Sequence, residues 1–186
     1  LKIIGRKHTA EDIIEKYGLA KKYVFDVNMD LIAGLPDESF EDFKRSIDAA
    51  VSLSPDNITV HTLSLKKGSI LKEKVDRLPE GEIDKMINYS AYKLINEGYE
   101  PYYMYRQKYM AGNLENTGYA KKGKACVYNI DVMEEIADNP ACGANAVSKR
   151  FFPSEDRITR YGSPKDIATY IAKIDKIISD KEEFFG

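Results

Sequence analysis

The sequence predicts an α/β fold that gives way, past its first 80 residues, to an α+β region. Three observations predict it: helix, strand, helix and strand patterns alternate over residues 9–65, a long loop follows at about 66–80, and shorter strands with a closing helix come after. The alternation is the repeating unit of a parallel sheet or barrel, whose crossovers are right-handed.

The first helix covers residues 9–22. Thr9 is its N-cap, Asp12 completes a capping box, and Ile13, Ile14, Tyr17 and Ala20 supply the apolar stripe. The run Tyr23 to Leu35 is rich in apolar and β-branched residues and reads as a buried strand ended by Gly34-Leu35-Pro36. Ser39 and Asp42 cap a second helix, which places Phe40, Phe43, Ile47, Ala50 and Val51 on one face. Ser54-Pro55-Asp56 breaks the chain, and Asn57 to Leu65 is a second strand turned off at Lys67-Gly68. From Pro79 a third helix aligns Ile83, Met86, Ile87, Ser90, Ala91, Leu94 and Ile95, and Gly98 takes the C′ position. Tyr99–Tyr105, Lys124–Tyr128, Gly143–Phe151 and Arg157–Tyr161 read as strands. The last helix has Ser163 as N-cap, Pro164 at N1 and Asp166 closing the box, with Ile167, Tyr170, Ile171, Ile174, Ile177 and Ile178 as its buried stripe.

Bulk properties exclude several classes. A hydrophobic fraction of 43% against 31% charged residues is that of a globular chain rather than a disordered one. A formal net charge of −2 leaves no basic footprint for nucleic acid. No apolar run approaches the length that crosses a bilayer, so no membrane partner is expected. The opening Leu1-Lys2-Ile3-Ile4 has neither an initiator methionine nor a signal peptide, and reads as the interior of a longer protein. Cys126 and Cys142 form neither a disulfide framework nor a zinc spacing, and two thiolates cannot ligate a four-iron cluster. Free thiols suit a reducing cytosol, hence a cytoplasmic location.

The chemistry is expected on the strand at 24–33. Alternate side chains share a face, so Val27, Met29 and Leu31 point toward helices while Asn28, Asp30 and Ile32 point the other way. A buried carboxylate at Asp30 needs donors or a cation, and ligands of such sheets gather at the carboxyl ends of strands. The alternative is that Asp30 caps a loop or pairs with an arginine. His61, the one histidine on a strand, reads as packed or hydrogen-bonded rather than catalytic.

The composite Asn28-Met29-Asp30-Leu31-Ile32-Ala33-Gly34-Leu35-Pro36 resembles the strand and turn of the oxygen-independent coproporphyrinogen III oxidases (coproporphyrinogen dehydrogenases) and their radical S-adenosylmethionine relatives. Ile4 to Thr9, Asp56 to Ser64, Met104 to Tyr109 and Asn113 to Tyr119 are similar to further segments of that family. The resemblance implies the second half of a partial (β/α)6 TIM-like radical SAM barrel over residues 1–78, followed by a small α+β region over 79–186. It implies S-adenosylmethionine as cofactor, held by Arg6, Asp30, Ser64 and Val147, the last in the glycine-rich strand where Ala141 replaces the usual first glycine.

The resemblance also implies a [4Fe-4S] cluster, fed by an electron donor, on a C-x-x-x-C-x-x-C loop that nothing in this chain matches. Its cysteines are expected upstream, so this chain contributes no metal ligand and is inactive alone. The implied reaction of the full-length parent is anaerobic oxidative decarboxylation of coproporphyrinogen III to protoporphyrinogen IX in haem biosynthesis. In it a 5′-deoxyadenosyl radical takes hydrogen from propionates that become vinyls. No catalytic residue is assigned. The tetrapyrrole's propionates would need cations such as Arg106, Lys108, Lys121, Lys122 and Lys124, which otherwise form a solvated basic loop. The alternative within the family is a haem-binding, chaperone-type relative without turnover.

Overall fold

The computed structural model describes residues 5–64, 80–106 and 114–186. The segments expected to form the loop after the second strand and the stretch around Lys108 lie outside the described residues. Two compact units form, Leu1–Cys126 and Val127–Gly186.

The first unit begins with α1 (Ala10–Lys22), closed by the expected box: the Asp12 N–H donates to Thr9 Oγ1 at 3.2 Å, and the Thr9 N–H to Asp12 Oδ2 at 2.8 Å. Its apolar stripe is not buried; Ile13 and Ile14 are 42% and 54% exposed. β1 is Asn28–Ala33, shorter than expected, because Tyr23, Val24 and Phe25 lie exposed ahead of it and Val24 adopts φ 60°. α2 (Phe40–Leu53) carries the second expected capping box, Ser39 with Asp42. β2 (Asn57–Thr62) pairs parallel with β1, Met29 opposite Ile58 and Leu31 opposite Val60. α3 (Glu80–Asn96) leads to β3 (Tyr99–Tyr105), and β4 (Asn116–Lys121) completes the sheet.

The strand order is β1-β2-β4-β3. β4 runs antiparallel to both β2 and β3, so β3 is parallel to β2 with β4 inserted between them. This overturns the barrel expectation. The described strands form an open sheet whose edges are β1 and β3, not part of a (β/α)6 barrel. A barrel of that kind needs parallel βα units around its circumference. Here the alternation supports one adjacent parallel pair, and the reversed β4 interrupts it. What stands is an α/β fold without closure.

α2 and α3 pack on one face of the sheet. Phe43, Ile47 and Ala50 of α2 and Ile83, Met86 and Leu94 of α3 join Ala33, Ile58, Val60, Tyr99 and Tyr119 in one buried cluster. Asp56 pins the amino ends of the parallel strands: its Oδ2 accepts from Lys21 Nζ at 2.8 Å and the Val27 N–H at 2.9 Å. Burial pushes the Asp56 carboxyl up, but Lys21, the Val27 amide and the nearby Lys124 charge outweigh it and hold the group below its usual value.

In the second unit, α4 (Val127–Glu134) begins where the strand expected over Lys124–Tyr128 was to end. β5 (Val147–Phe152) and β6 (Arg157–Gly162) form an antiparallel hairpin. α5 (Ile167–Ala172) and α6 (Ile174–Phe185) follow, separated at Lys173. The N-cap of α5 is Asp166 rather than Ser163, since Asp166 Oδ1 accepts the Thr169 N–H at 2.8 Å. Most of the expected buried stripe is exposed: Ile167, Ile171 and Ile178 at 67%, 64% and 51%, with Ile177 buried at 4%. The stripe was expected to continue through one helix, and the break at Lys173 divides it between two.

Candidate functional site

The face of the four-stranded sheet opposite α2 and α3 is polar and aromatic. Strand alternation puts Asn28 and Asp30 of β1 on it, beside Thr59 and His61 of β2. β3 reaches the same face through an irregularity. The register shifts between Pro101 and Tyr103. Tyr99 therefore lies in the helix-side core, with its hydroxyl on the Pro55 carbonyl at 2.7 Å, while Tyr103 and Tyr105 turn to the polar face.

Two rows of side chains cross this face. Asp30 lies opposite Thr59, Thr59 opposite Gly118, and Gly118 opposite Tyr103. Two residues further along, Ile32 is opposite His61 and Asn116 opposite Tyr105. Gly118 is required by the first row: a Cβ there would sit 1.9 Å from the Tyr103 ring. A glycine inside a strand marks such a close approach.

Hydrogen bonds tie the rows together. Asn28 Nδ2 donates to Asp30 Oδ1 at 2.6 Å, and Thr59 Oγ1 donates to Asn28 Oδ1 at 3.1 Å. The Thr59 and Tyr103 hydroxyls are 3.3 Å apart. His61 Nδ1 lies 3.3 Å from the Tyr105 hydroxyl, and its Nε2 lies 3.7 Å from Asp30 Oδ1, an electrostatic contact longer than a hydrogen bond. The rings of Tyr103 and Tyr105 stack at 6.3 Å with an interplanar angle of 6°. His61 is the largest cause holding the Asp30 carboxyl below its usual value; partial burial opposes it and Asn28 adds to it. Burial pushes the Tyr103 phenol up.

Asn116 adds an unused donor. Its Oδ1 accepts the Thr62 N–H at 2.8 Å, which fixes the amide's orientation. The residue is 1% exposed, and its Nδ2 is buried without a partner. A buried orphan donor of this kind calls for a ligand or water.

Of the residues expected to hold a cofactor, Asp30 stands on this face with its side chain 61% exposed. Ser64 lies two residues past β2, half-buried, beyond the carboxyl end of the strand next to Asp30. Arg6 is exposed in the loop ahead of α1 and makes no ion pair with Asp30. Val147 opens β5 in the second unit, 46% exposed. Among the expected propionate partners, Arg106 pairs with Glu115 at 3.0 Å, Lys124 with Asp26 at 2.6 Å, and Lys121 donates to the Ser54 carbonyl at 2.7 Å. Lys122 is exposed, and Lys108 lies outside the described residues. Sequence reasoning missed Thr59, Tyr103, Tyr105, Asn116 and Gly118. The period of two along β2 pointed to Thr59, and the glycine between Thr117 and Tyr119 signalled the close approach.

The donor set fits part of an S-adenosylmethionine site. Asp30 offers an exposed carboxylate to an ammonium or ribose diol, and Asn116 carries a buried amide donor without a partner, while the Thr59 and Tyr103 hydroxyls are buried and bonded to Asn28 and to each other. It does not fit an iron–sulfur cluster. Among the described residues no group of three His, Cys, Asp or Glu side chains could hold a metal ion. Cys126 ends the first unit and Cys142 lies in the second. Among the described residues no helix is long and apolar enough to cross a membrane.

Helices on one face and a polar, aromatic-braced face on the other define an α/β sheet with its polar side left open among the described elements. The comparisons narrow that class. The chain is 38% identical over 99% of its length to the oxygen-independent coproporphyrinogen-III oxidase-like protein HemZ of Bacillus subtilis, of which it covers 38%. It is 27% identical over 92% of its length to the heme chaperone HemW of Haemophilus influenzae, covering 42% of that protein. The fold matches the structure of coproporphyrinogen III oxidase (HemN) from Escherichia coli, a radical SAM enzyme, with a TM-score of 0.66 at 16% identity over 94% of this chain and 40% of that one. No family model matches. The chain is homologous to the oxygen-independent coproporphyrinogen-III oxidase-like protein HemZ, and spans well under half the length of these relatives.

Proposed function

We propose that the chain is part of a radical S-adenosylmethionine oxidoreductase of the coproporphyrinogen dehydrogenase type. It contributes the polar sheet face that holds the cofactor. The observation that carries this reading is Asp30, set between Asn28 and His61 on β1 of a chain homologous to such proteins. In this reading Asp30 accepts from the cofactor's ammonium or ribose, Thr59 and Tyr103 order that carboxylate through Asn28, and Ser64 lines the carboxyl end of β2. Arg6 and Val147 are further proposed contacts. When bound and reduced by a cluster held elsewhere in the full-length protein, the cofactor would supply a radical able to abstract hydrogen from a substrate carbon.

The proposed substrate is a tetrapyrrole carrying propionates, and the proposed reaction is the oxidative decarboxylation of coproporphyrinogen III. The test is anaerobic turnover by the full-length protein with its cluster reconstituted. Formation of 5′-deoxyadenosine together with protoporphyrinogen IX supports the reading, and formation of neither rejects it.

A second reading is favoured by the likeness to a heme chaperone over 92% of the chain. It makes the full-length protein a haem carrier. Stoichiometric haem binding in a spectral titration, with no porphyrinogen consumed, would select it over the first.

A further inference from the structure

We propose that His61, braced by Tyr105, is a positioning residue that fixes the Asp30 carboxylate for its ligand; this rests on the cofactor-binding reading above. Among the described strands Asp30 stands on an edge strand with its side chain 61% exposed, so packing by the described residues does not hold its rotamer. An unrestrained carboxylate loses side-chain entropy on binding, and pre-ordering removes that cost.

Both side chains that restrain it act on the same oxygen. Asn28 Nδ2 donates to Oδ1 at 2.6 Å, and His61 Nε2 stands 3.7 Å from the same oxygen, beyond hydrogen-bond length but within electrostatic reach, which leaves Oδ2 as the acceptor for a ligand donor. The His61 ring is itself held. The Tyr105 hydroxyl stands 3.3 Å from Nδ1, and the two rings meet edge to face at 70°. In the tautomer in which Tyr105 donates to Nδ1, the imidazole proton sits on Nε2, the nitrogen that faces Asp30. Tyr105 in turn stacks on Tyr103, whose ring lies across Gly118. A chain of contacts therefore runs from β3 to the carboxylate on β1. His61 acts through Asp30 rather than on a reacting atom.

The test is calorimetric titration of S-adenosylhomocysteine, an unreactive analogue, into the full-length protein and its variants, with thermal melts to verify folding. Asp30→Asn should weaken binding by at least roughly tenfold, and His61→Phe by about tenfold. His61→Gln, which restores a side-chain N–H donor, should recover affinity to within about threefold of the parent. In the Asp30→Asn background, His61→Phe should cost nothing further, because its effect passes through that carboxylate. Should His61→Phe fold poorly, Tyr105→Phe probes the same brace, and a loss of about threefold is expected. Wild-type affinity in the His61→Phe variant, or in Tyr105→Phe where it stands in, overturns the proposal while an Asp30→Asn loss keeps the cofactor reading. Equal losses in His61→Phe and His61→Gln that persist without Asp30 overturn it in favour of simple packing. Unchanged binding in Asp30→Asn overturns the cofactor reading and the proposal together.

Discussion

The two faces of the four-stranded sheet use the same strands for opposite ends. On the helix side, Ile58, Val60, Tyr99 and Tyr119 meet Phe43, Ile47, Met86 and Leu94 in an apolar cluster. On the other side, residues one position away along the same strands carry carboxylate, imidazole, amide and hydroxyl groups. Burial of apolar surface stabilises the first face at about 25 cal/mol per Å². The second holds polar groups in a hydrogen-bonded array that includes one unpartnered donor. The difference teaches where each mutation should be felt: in stability on one side, in ligand affinity on the other.

The largest expected effect comes from emptying the helix side. Phe43, 1% exposed, should cost about 3–5 kcal/mol when replaced by alanine, through lost transfer energy and the cavity left behind. Urea denaturation of the full-length protein measures it, and a cost near zero would mean that α2 does not anchor the sheet.

Next is Asp56, which ties α1 to the segment that leads into β1 at the start of β2. Asp56→Ala strands the Val27 N–H and Lys21, and should cost about 2–3 kcal/mol. The sign with pH follows from its lowered carboxyl. Its contribution is present above the unfolded carboxylate value and is lost as pH falls through the lower folded value. Asp56→Asn should therefore flatten the acid limb of a stability–pH profile, and an unchanged limb would contradict this account.

Gly118→Ala sharpens the comparison, since it strikes the polar face by steric means. The Tyr103 ring must move, and overpacking of this kind costs about 1–3 kcal/mol. A second variant, Gly118→Ala with Tyr103→Phe, should not relieve it, because the clash is with ring carbons. The smallest stability effect is expected at Asp30. Asp30→Asn should change unfolding free energy by no more than about 0.5 kcal/mol, while cofactor affinity falls. A large destabilisation there would erase the contrast between the faces.

Local chemistry was legible in the sequence. The boxes at Thr9 with Asp12 and Ser39 with Asp42 join residues three apart, so composition and spacing suffice to find them. The alternation along β1 likewise separated Met29 and Leu31 from Asn28 and Asp30. Non-local pairing was not legible. Asn116 to Lys121 carries too little apolar alternation to announce a strand, and its place between β2 and β3 is what opens the expected barrel into a sheet. Placing a strand at Lys124–Tyr128 erred for the same reason, since an apolar run too short for periodicity does not distinguish strand from helix. The polar face was half visible. Asp30 could be named, but His61 meets Tyr105 across 44 residues of chain, and the shift that turns Tyr105 toward it is a property of the β3–β4 pairing.

Hydrogen–deuterium exchange of the full-length protein, with and without S-adenosylmethionine, tests the division of the two faces most directly. The account predicts that amides of Asn28–Ala33 and of residues 57–64 exchange more slowly when the cofactor is bound, with α2 little changed. Cofactor binding that leaves both strands exchanging as before would contradict it.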